Sequence, residues 1–237
     1  MVGIAMLLDM RNHIIVLGAL ASSIAGCTQQ REGRLDAPRV AGLTQTASAP
    51  ASAKSPVVTS KNALFLDVHE LGPGKVTAEA VAGAHQKDLA IEGKYGVDLK
   101  AYWLDEKAGK IFCLAEAPSA QALNAVHREA HGLLASSIMK VTADNTDWQA
   151  TPGMKLFLDV HRFGKGKVTA EAVAGAHQKD LAAQAKHDVK YLNYWFDADS
   201  GTVLCLTEAP NAEASLAVHQ EAHGLMPDTI EEVSEGR

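Results

Sequence analysis

The sequence predicts an α+β protein built from two ferredoxin-like βαββαβ repeats that pack sheet to sheet as an intramolecular pseudo-dimer of the α/β-barrel type. Three observations predict it: a gapless internal duplication, a β-α-β-β-α-β order of segments in each copy, and the sheet face that such a copy leaves bare. LFLDVH at 64–69 recurs at 156–161, and KVTAEAVAGAHQKDLA at 75–90 recurs unchanged at 167–182. EAPSAQALNAVHREAHGL at 116–133 returns as EAPNAEASLAVHQEAHGL at 208–225. The offset is 92 residues throughout, and 47 of the 78 positions aligned between 64–141 and 156–233 are identical. That period is too long, and two copies too few, for a solenoid.

LFLDVH alternates, with Leu64, Leu66 and Val68 on one side and Phe65, Asp67 and His69 on the other, as in a half-buried strand. Gly72 and Gly74 punctuate the following loop. Thr77 is an N-cap candidate for a helix from about 78 to 94. LKAYWLD, ending at Asp105, and KIFCLAE, ending at Glu116, read as strands joined by a hairpin turn at EKAG. Pro118 and Ser119 open a second helix that stops near Gly132. A short last strand holds Ile138 and Val141. Two right-handed crossovers then give four antiparallel strands with both helices on one face. The other face is bare, and pairing with the second copy's bare face would bury it. The expected layout is repeat 1 at 63–142, a linker at 143–154 and repeat 2 at 155–234.

The N-terminus reads as a targeting segment. IIVLGALASSIAG at 14–26 follows Arg11 and His13 and is too short to span a bilayer as a helix. It ends in Ile24-Ala25-Gly26-Cys27, which resembles the lipobox of bacterial lipoproteins, where the cysteine is lipidated. The expected processing is a signal peptide at 1–26, a lipid on Cys27 and a disordered tether at 27–62 rich in Ala, Ser, Thr, Pro and Gln. This places the folded part in the cell envelope, on the periplasmic face. A net charge of -6 argues against nucleic acid and anionic membrane surfaces as partners.

Eight of the ten histidines fall in the repeats as matched pairs: His69 with His161, His85 with His177, His127 with His219, and His131 with His223. His127 and His131 are four apart on a helix, so both rings leave one face and can chelate one ion. The spacing matches neither zinc-protease helix motif. Topology brings His69, at the end of strand one, to the end of helix two that carries His131. Asp105 and Asp197 end their strands at the same end, so three imidazoles and a carboxylate form a candidate ligand set. His85, with Asp88 one turn later, is a ligand candidate or a histidine–carboxylate contact supporting one. Asp67 and Asp159 are strand acids that need a partner or a metal. Glu116 and Glu208 suit capping near helix two better than ligation. Tyr102, Trp103, Tyr194 and Trp195 read as packing aromatics, and Cys113 and Cys205 as small buried hydrophobes.

The string DVH, then VTAEAVAGAH..DL, YW.D, C-L.EAP and AVH.EAHGL is similar to a family of small bacterial nickel-binding domains with a ferredoxin-like fold that assembles as a dimer. The resemblance covers about 64–141 and 156–233. It implies that the duplication is a covalent version of that dimer, and that the repeated histidines hold a divalent transition metal, with nickel first. Zinc, copper or iron would suit the same donors. The metal's use, in storage, sensing or delivery, is left open, as is further self-association. Two alternatives stand beside this reading. One is a small dimeric-barrel enzyme with His and Asp as acid and base, which an enclosed apolar pocket beside His69 or His85 would favour. The other is a surface interaction module with scattered histidines.

Overall fold

The computed structural model describes residues 62–237; the signal-peptide and lipidation expectations, including Cys27, lie outside the described residues. Repeat 1 runs β1 (Ala63–Glu70), α1 (Ala78–Leu89), β2 (Asp98–Asp105), β3 (Lys110–Ala117), α2 (Ala120–Ala130) and β4 (Ser137–Lys140), followed by the two-residue β5 (Thr142–Ala143). Repeat 2 runs β6 (Leu156–Arg162), α3 (Ala170–Ala183), β7 (Lys190–Asp197), β8 (Thr202–Glu208), α4 (Ala212–Ala222) and β9 (Thr229–Gly236). Each helix opens on the side-chain cap its sequence offers: Thr77, Ser119, Thr169 and Asn211 accept an N–H three residues on.

The first helix ends earlier than its periodicity suggests, at Leu89, with a 3-10 turn over Glu92–Tyr95 in place of its expected last turn. A bulge explains the break. β2 shifts register between Leu99 and Ala101, which leaves the Leu99 N–H without a ladder partner, and the Glu92 carboxylate accepts it at 2.6 Å. Gln184 does the same for Tyr191 at 2.7 Å, where β7 carries the matching bulge.

The strands follow the order β4-β1-β3-β2-β9-β6-β8-β7-β5. Within each copy this is the ferredoxin-like order, and the copies join by exchanging last strands. β9 pairs along β6 of its own repeat and then with Tyr102–Leu104 of β2. The segment through β4 and β5 pairs first with β1 and then with Trp195 and Phe196 of β7. The two sheets thus close edge to edge into a barrel, and the faces expected to be bare line its interior. Helices cover the outside. The inter-repeat segment is part of this core, because it supplies β5 and Trp148.

Parity then sorts the side chains. Leu66, Val68, Ala101, Trp103, Phe112 and Leu114 fill the barrel with Leu158, Val160, Trp195, Leu204 and Leu206 of repeat 2. Asp67 and His69 sit on the alternate, helix-facing positions of β1. Gly109 fixes the loop that follows His69. Its φ is 68°, its carbonyl accepts the N–H groups of Leu71 and Gly72, and a Cβ there would lie 1.9 Å from the Gly72 oxygen.

All three tryptophans of the chain, Trp103, Trp148 and Trp195, meet inside the barrel with ring centroids 4.9–5.5 Å apart. Glu235 of β9 accepts from Trp103 Nε1 at 3.0 Å and Trp148 Nε1 at 2.8 Å, and Arg237 covers the Trp148 ring. The counterpart of Glu235 in repeat 1 is Ala143, so this clasp occurs once. Replacing Glu235 by Ala strands two buried indole N–H groups, and the expected loss is about 2–4 kcal/mol. Glu235→Gln, which keeps an acceptor, should recover at least half. Urea unfolding followed by tryptophan fluorescence reads both, since every indole lies in the barrel.

Candidate metal centre

α1 presents Val81, His85 and Asp88 as its buried face, and α2 presents Leu123, Val126 and His127. Both faces lie over the helix side of β1, where Asp67 and His69 project. His131 follows the last turn of α2 because Gly132, at φ 81°, ends the helix with its N–H on the His127 carbonyl. The Leu133 N–H donates to His131 Nδ1 at 3.1 Å, which leaves Nε2 to face Asp88.

His127 is the hub. Its Nε2 lies 3.1 Å from Asp67 Oδ2 and its Nδ1 3.3 Å from Asp88 Oδ1. His131 Nε2 lies 3.2 Å from Asp88 Oδ2, and His69 Nε2 3.2 Å from Asp67 Oδ1. The His69 and His127 rings are 5.0 Å apart, and those of His127 and His131 5.4 Å. Folding therefore gathers His69, His127 and His131, as their placement in the sequence suggested. In repeat 2, His219 lies 3.0 Å from Asp159 and 3.2 Å from Asp180, and His223 lies 3.1 Å from Asp180. Two donors on one ion, each about 2.1 Å from it, stand about 3.0–3.4 Å apart at octahedral to tetrahedral angles. The aspartate–histidine pairs of the Asp88/His127/His131 and Asp180/His219/His223 trios match that spacing, and the three donors of each lie within 4.8 Å of one another.

Burial is the largest influence on His127 and opposes its charge, but the Asp67 and Asp88 carboxylates outweigh it and raise the ring to about 9. His219 is raised to about 9 in the same way by Asp159 and Asp180. Burial would raise Asp67, yet its contacts with His127 and His69 hold it below the ordinary value. Burial also pushes His131 below the ordinary imidazole value, with Asp88 opposing. Each hub is thus a charged imidazole between carboxylates, and its proton is what a bound cation would displace.

Other candidates stand apart. Asp105 shares the barrel-facing parity of Ala101 and Trp103, so it turns away from the cluster and caps its hairpin by accepting the Ala108 N–H; Asp197 does the same for Asp199. Glu208 accepts the Thr151 N–H and Glu116 lies 3.6 Å from Lys100, while Ser119 and Asn211 cap the helices instead. His85 packs edge-on against Tyr102 at 5.0 Å and His177 against Tyr194 at 4.9 Å, outside the trios. Cys113 and Cys205 are buried and unpaired.

His85 lines a cavity of about 150 Å³ with His69, His131 and apolar side chains, and His177 lines its counterpart of about 280 Å³. Repeat 2 also carries buried polar groups that periodicity does not reveal. The Tyr191 hydroxyl lies 3.3 Å from His219 Nε2, Ser215 Oγ donates to Asp159 Oδ2 at 3.0 Å, and Thr207 lies 3.4 Å from Ser215. Their signal was in the duplication itself: repeat 1 has Leu99, Leu123 and Ala115 at these positions.

The raised hub histidines set a pH dependence for the chain stripped of metal. A ring whose folded value lies above its unfolded 6.5 stabilises fully below pH 6.5, and that contribution is lost as pH rises toward about 9. His161, which burial and then the charges of His219 and His223 lower to about 4, costs stability as pH falls below 6.5. Stability should therefore decline from about pH 6.5 to 9, and the His127→Gln/His219→Gln variant should flatten that limb. Urea midpoints across this range check it; a midpoint that rises to pH 9 would contradict it.

The sequence profile described as nickel responsive protein SCO4226-like matches residues 65–141 and again 157–233. The solved structure of SCO4226 from Streptomyces coelicolor A3(2) is 43% identical over 32% of this chain and 93% of that one, with a TM-score of 0.31. A chlorite dismutase from Candidatus Nitrospira defluvii is 10% identical over 75% of this chain and 91% of that one (TM-score 0.46). An anthrone oxidase-like protein is 11% identical over 75% and 94% (TM-score 0.40). No curated protein sequence matches. The chain belongs to the SCO4226-like nickel-responsive family and carries its domain twice.

Proposed function

We propose that this chain is a cell-envelope lipoprotein that binds a divalent transition metal, nickel first, through the repeated histidines and their buried aspartates. The observation that carries the reading is the trio Asp88/His127/His131 with its copy Asp180/His219/His223, each holding three donors within 4.8 Å of one another. The donors fit the ion: imidazole with carboxylate suits nickel, and equally zinc, copper or iron. The buried Asp180 Oδ1 accepts no hydrogen bond among the described residues, which suits an oxygen meant for a cation. The ion, when bound, supplies the positive charge that the hub's proton otherwise provides. The chain's own part is to orient the rings. The Leu133 and Leu225 N–H groups occupy His131 and His223 Nδ1 and aim Nε2 at the aspartates. Cys27, as the lipidated residue, would tether the metal-binding part to the membrane, for storage, sensing or delivery.

A second reading, a small enzyme with His and Asp as acid and base, draws on the largely apolar cavities beside His69 and His85 and beside His177. A turnover that survives complete metal removal would favour it.

Tag-free protein extracted from membranes should retain stoichiometric metal. Saturating Ni²⁺, at about 100 times its Kd, should stabilise the stripped chain by about 2.7 kcal/mol per occupied trio, a melting shift of about 5–10 °C for each that EDTA reverses. Changing His127, His131, His219 and His223 to Ala should abolish metal and shift together; retention of both would refute the site. Cys27→Ser should move the chain from the membrane to the soluble fraction.

A further inference from the structure

The two copies are not equivalent, and the difference concerns the second nitrogen of each hub ring. We propose that repeat 1 holds two divalent ions, one on each ring nitrogen of His127, whereas repeat 2 holds one. This rests on the reading that the Asp88/His127/His131 trio takes an ion through His127 Nδ1, and extends it to Nε2.

The second site in repeat 1 is Asp67, His69 and His127, whose donor atoms lie within 4.8 Å of one another. His127 Nε2 is 3.1 Å from Asp67 Oδ2, and His69 Nε2 is 3.2 Å from Asp67 Oδ1. Asp67 is wholly buried, and its Oδ1 accepts no hydrogen bond among the described residues despite the nearby imidazole. A buried carboxylate oxygen beside a ring nitrogen, with neither bonded to the other in good geometry, is placed for an ion to stand between them. His69 and His127 line the repeat 1 cavity, which gives the site a way in. Loading both sides removes both N–H protons of His127 and leaves an imidazolate bridge.

Repeat 2 has the same Asp, His and His in sequence, and its His161 and His219 rings lie 4.9 Å apart, but among the described residues no ion pair joins His161 to Asp159 as one joins His69 to Asp67. His161 stacks on Phe163, 5.7 Å away with 7° between the rings, where repeat 1 has Leu71. Ser215, in place of Leu123, donates to Asp159 Oδ2, the oxygen that faces His219 Nε2. The Tyr191 hydroxyl, in place of Leu99, lies 3.3 Å from that same nitrogen and 3.4 Å from Nδ1, against the ring as a whole. Asp159 Oδ1 is also unpartnered, but the Asp159, His161 and His219 donors do not gather within 4.8 Å as those of Asp67, His69 and His127 do. The Ser215 hydroxyl thus occupies the Asp159 oxygen that faces His219 Nε2, while the contacts of His219 Nδ1 and His223 with Asp180 match those of repeat 1.

Ni²⁺ added to the tag-free, metal-stripped chain and counted by native mass spectrometry tests this. Wild type should take three ions and His69→Ala two. Leu123→Ser, which keeps every ligand but sets repeat 2's hydroxyl against Asp67, should also take two, and it stands in if His69→Ala fails to fold. With Cu²⁺, wild type should bind three ions yet show an electron paramagnetic resonance intensity of about one near liquid-helium temperature, because the two across His127 couple. His69→Ala should bind two and show both. Equal counts in wild type, His69→Ala and Leu123→Ser, whether two or three, would overturn the second site and leave the trios standing. No ion in any variant would overturn the trios as well.

Discussion

Each copy of this protein buries two carboxylates beneath its helices and sets one imidazole between them. Everything else in the site follows from that. A buried carboxylate is costly unless matched by positive charge, and Asp67 and Asp88 share one ring, His127, to meet the need. Without metal a proton on that ring supplies the charge; with metal a cation can supply it. A site held together by that proton weakens as the proton leaves.

The barrel makes this arrangement possible. A single four-stranded sheet with helices on one face leaves its other face to water. Here each copy's last strand reaches across to the partner's second strand, and the exposed faces become one tryptophan-rich interior. Some of the apolar burial that steadies the chain packs between helices and sheet, but its largest cluster fills the barrel. The polar site is kept outside it, under the helices, and alternation along β1 separates the two. Leu66 and Val68 point into the barrel while Asp67 and His69 point away.

Much of this was legible in the sequence. The duplication, the strand alternation and the capping residues give the repeat, and HxxxH on α2 gives one face of the site. Asp105 misled because the bulge at Leu99–Ala101 sets which side of β2 faces the helices, and a bulge leaves no mark in a hydrophobic pattern. The linker misled because Trp148 is one apolar residue among polar ones, and only its acceptor, Glu235, 87 residues later, shows that it is buried. The divergence of repeat 2 was readable in principle. Leu99 to Tyr191 and Leu123 to Ser215 are polar replacements at helix-facing positions, but their meaning depends on Asp159 lying beneath them.

The central claim is that the ion sits between helices and sheet rather than on the outer surface. Anomalous scattering at the nickel absorption edge from crystals of the loaded chain locates it directly. The expected map has a peak within about 2.2 Å of His127 and His131 nitrogens and a second at His219 and His223. Peaks confined to exposed side chains, with these four rings still bonded to their aspartates, would contradict the account.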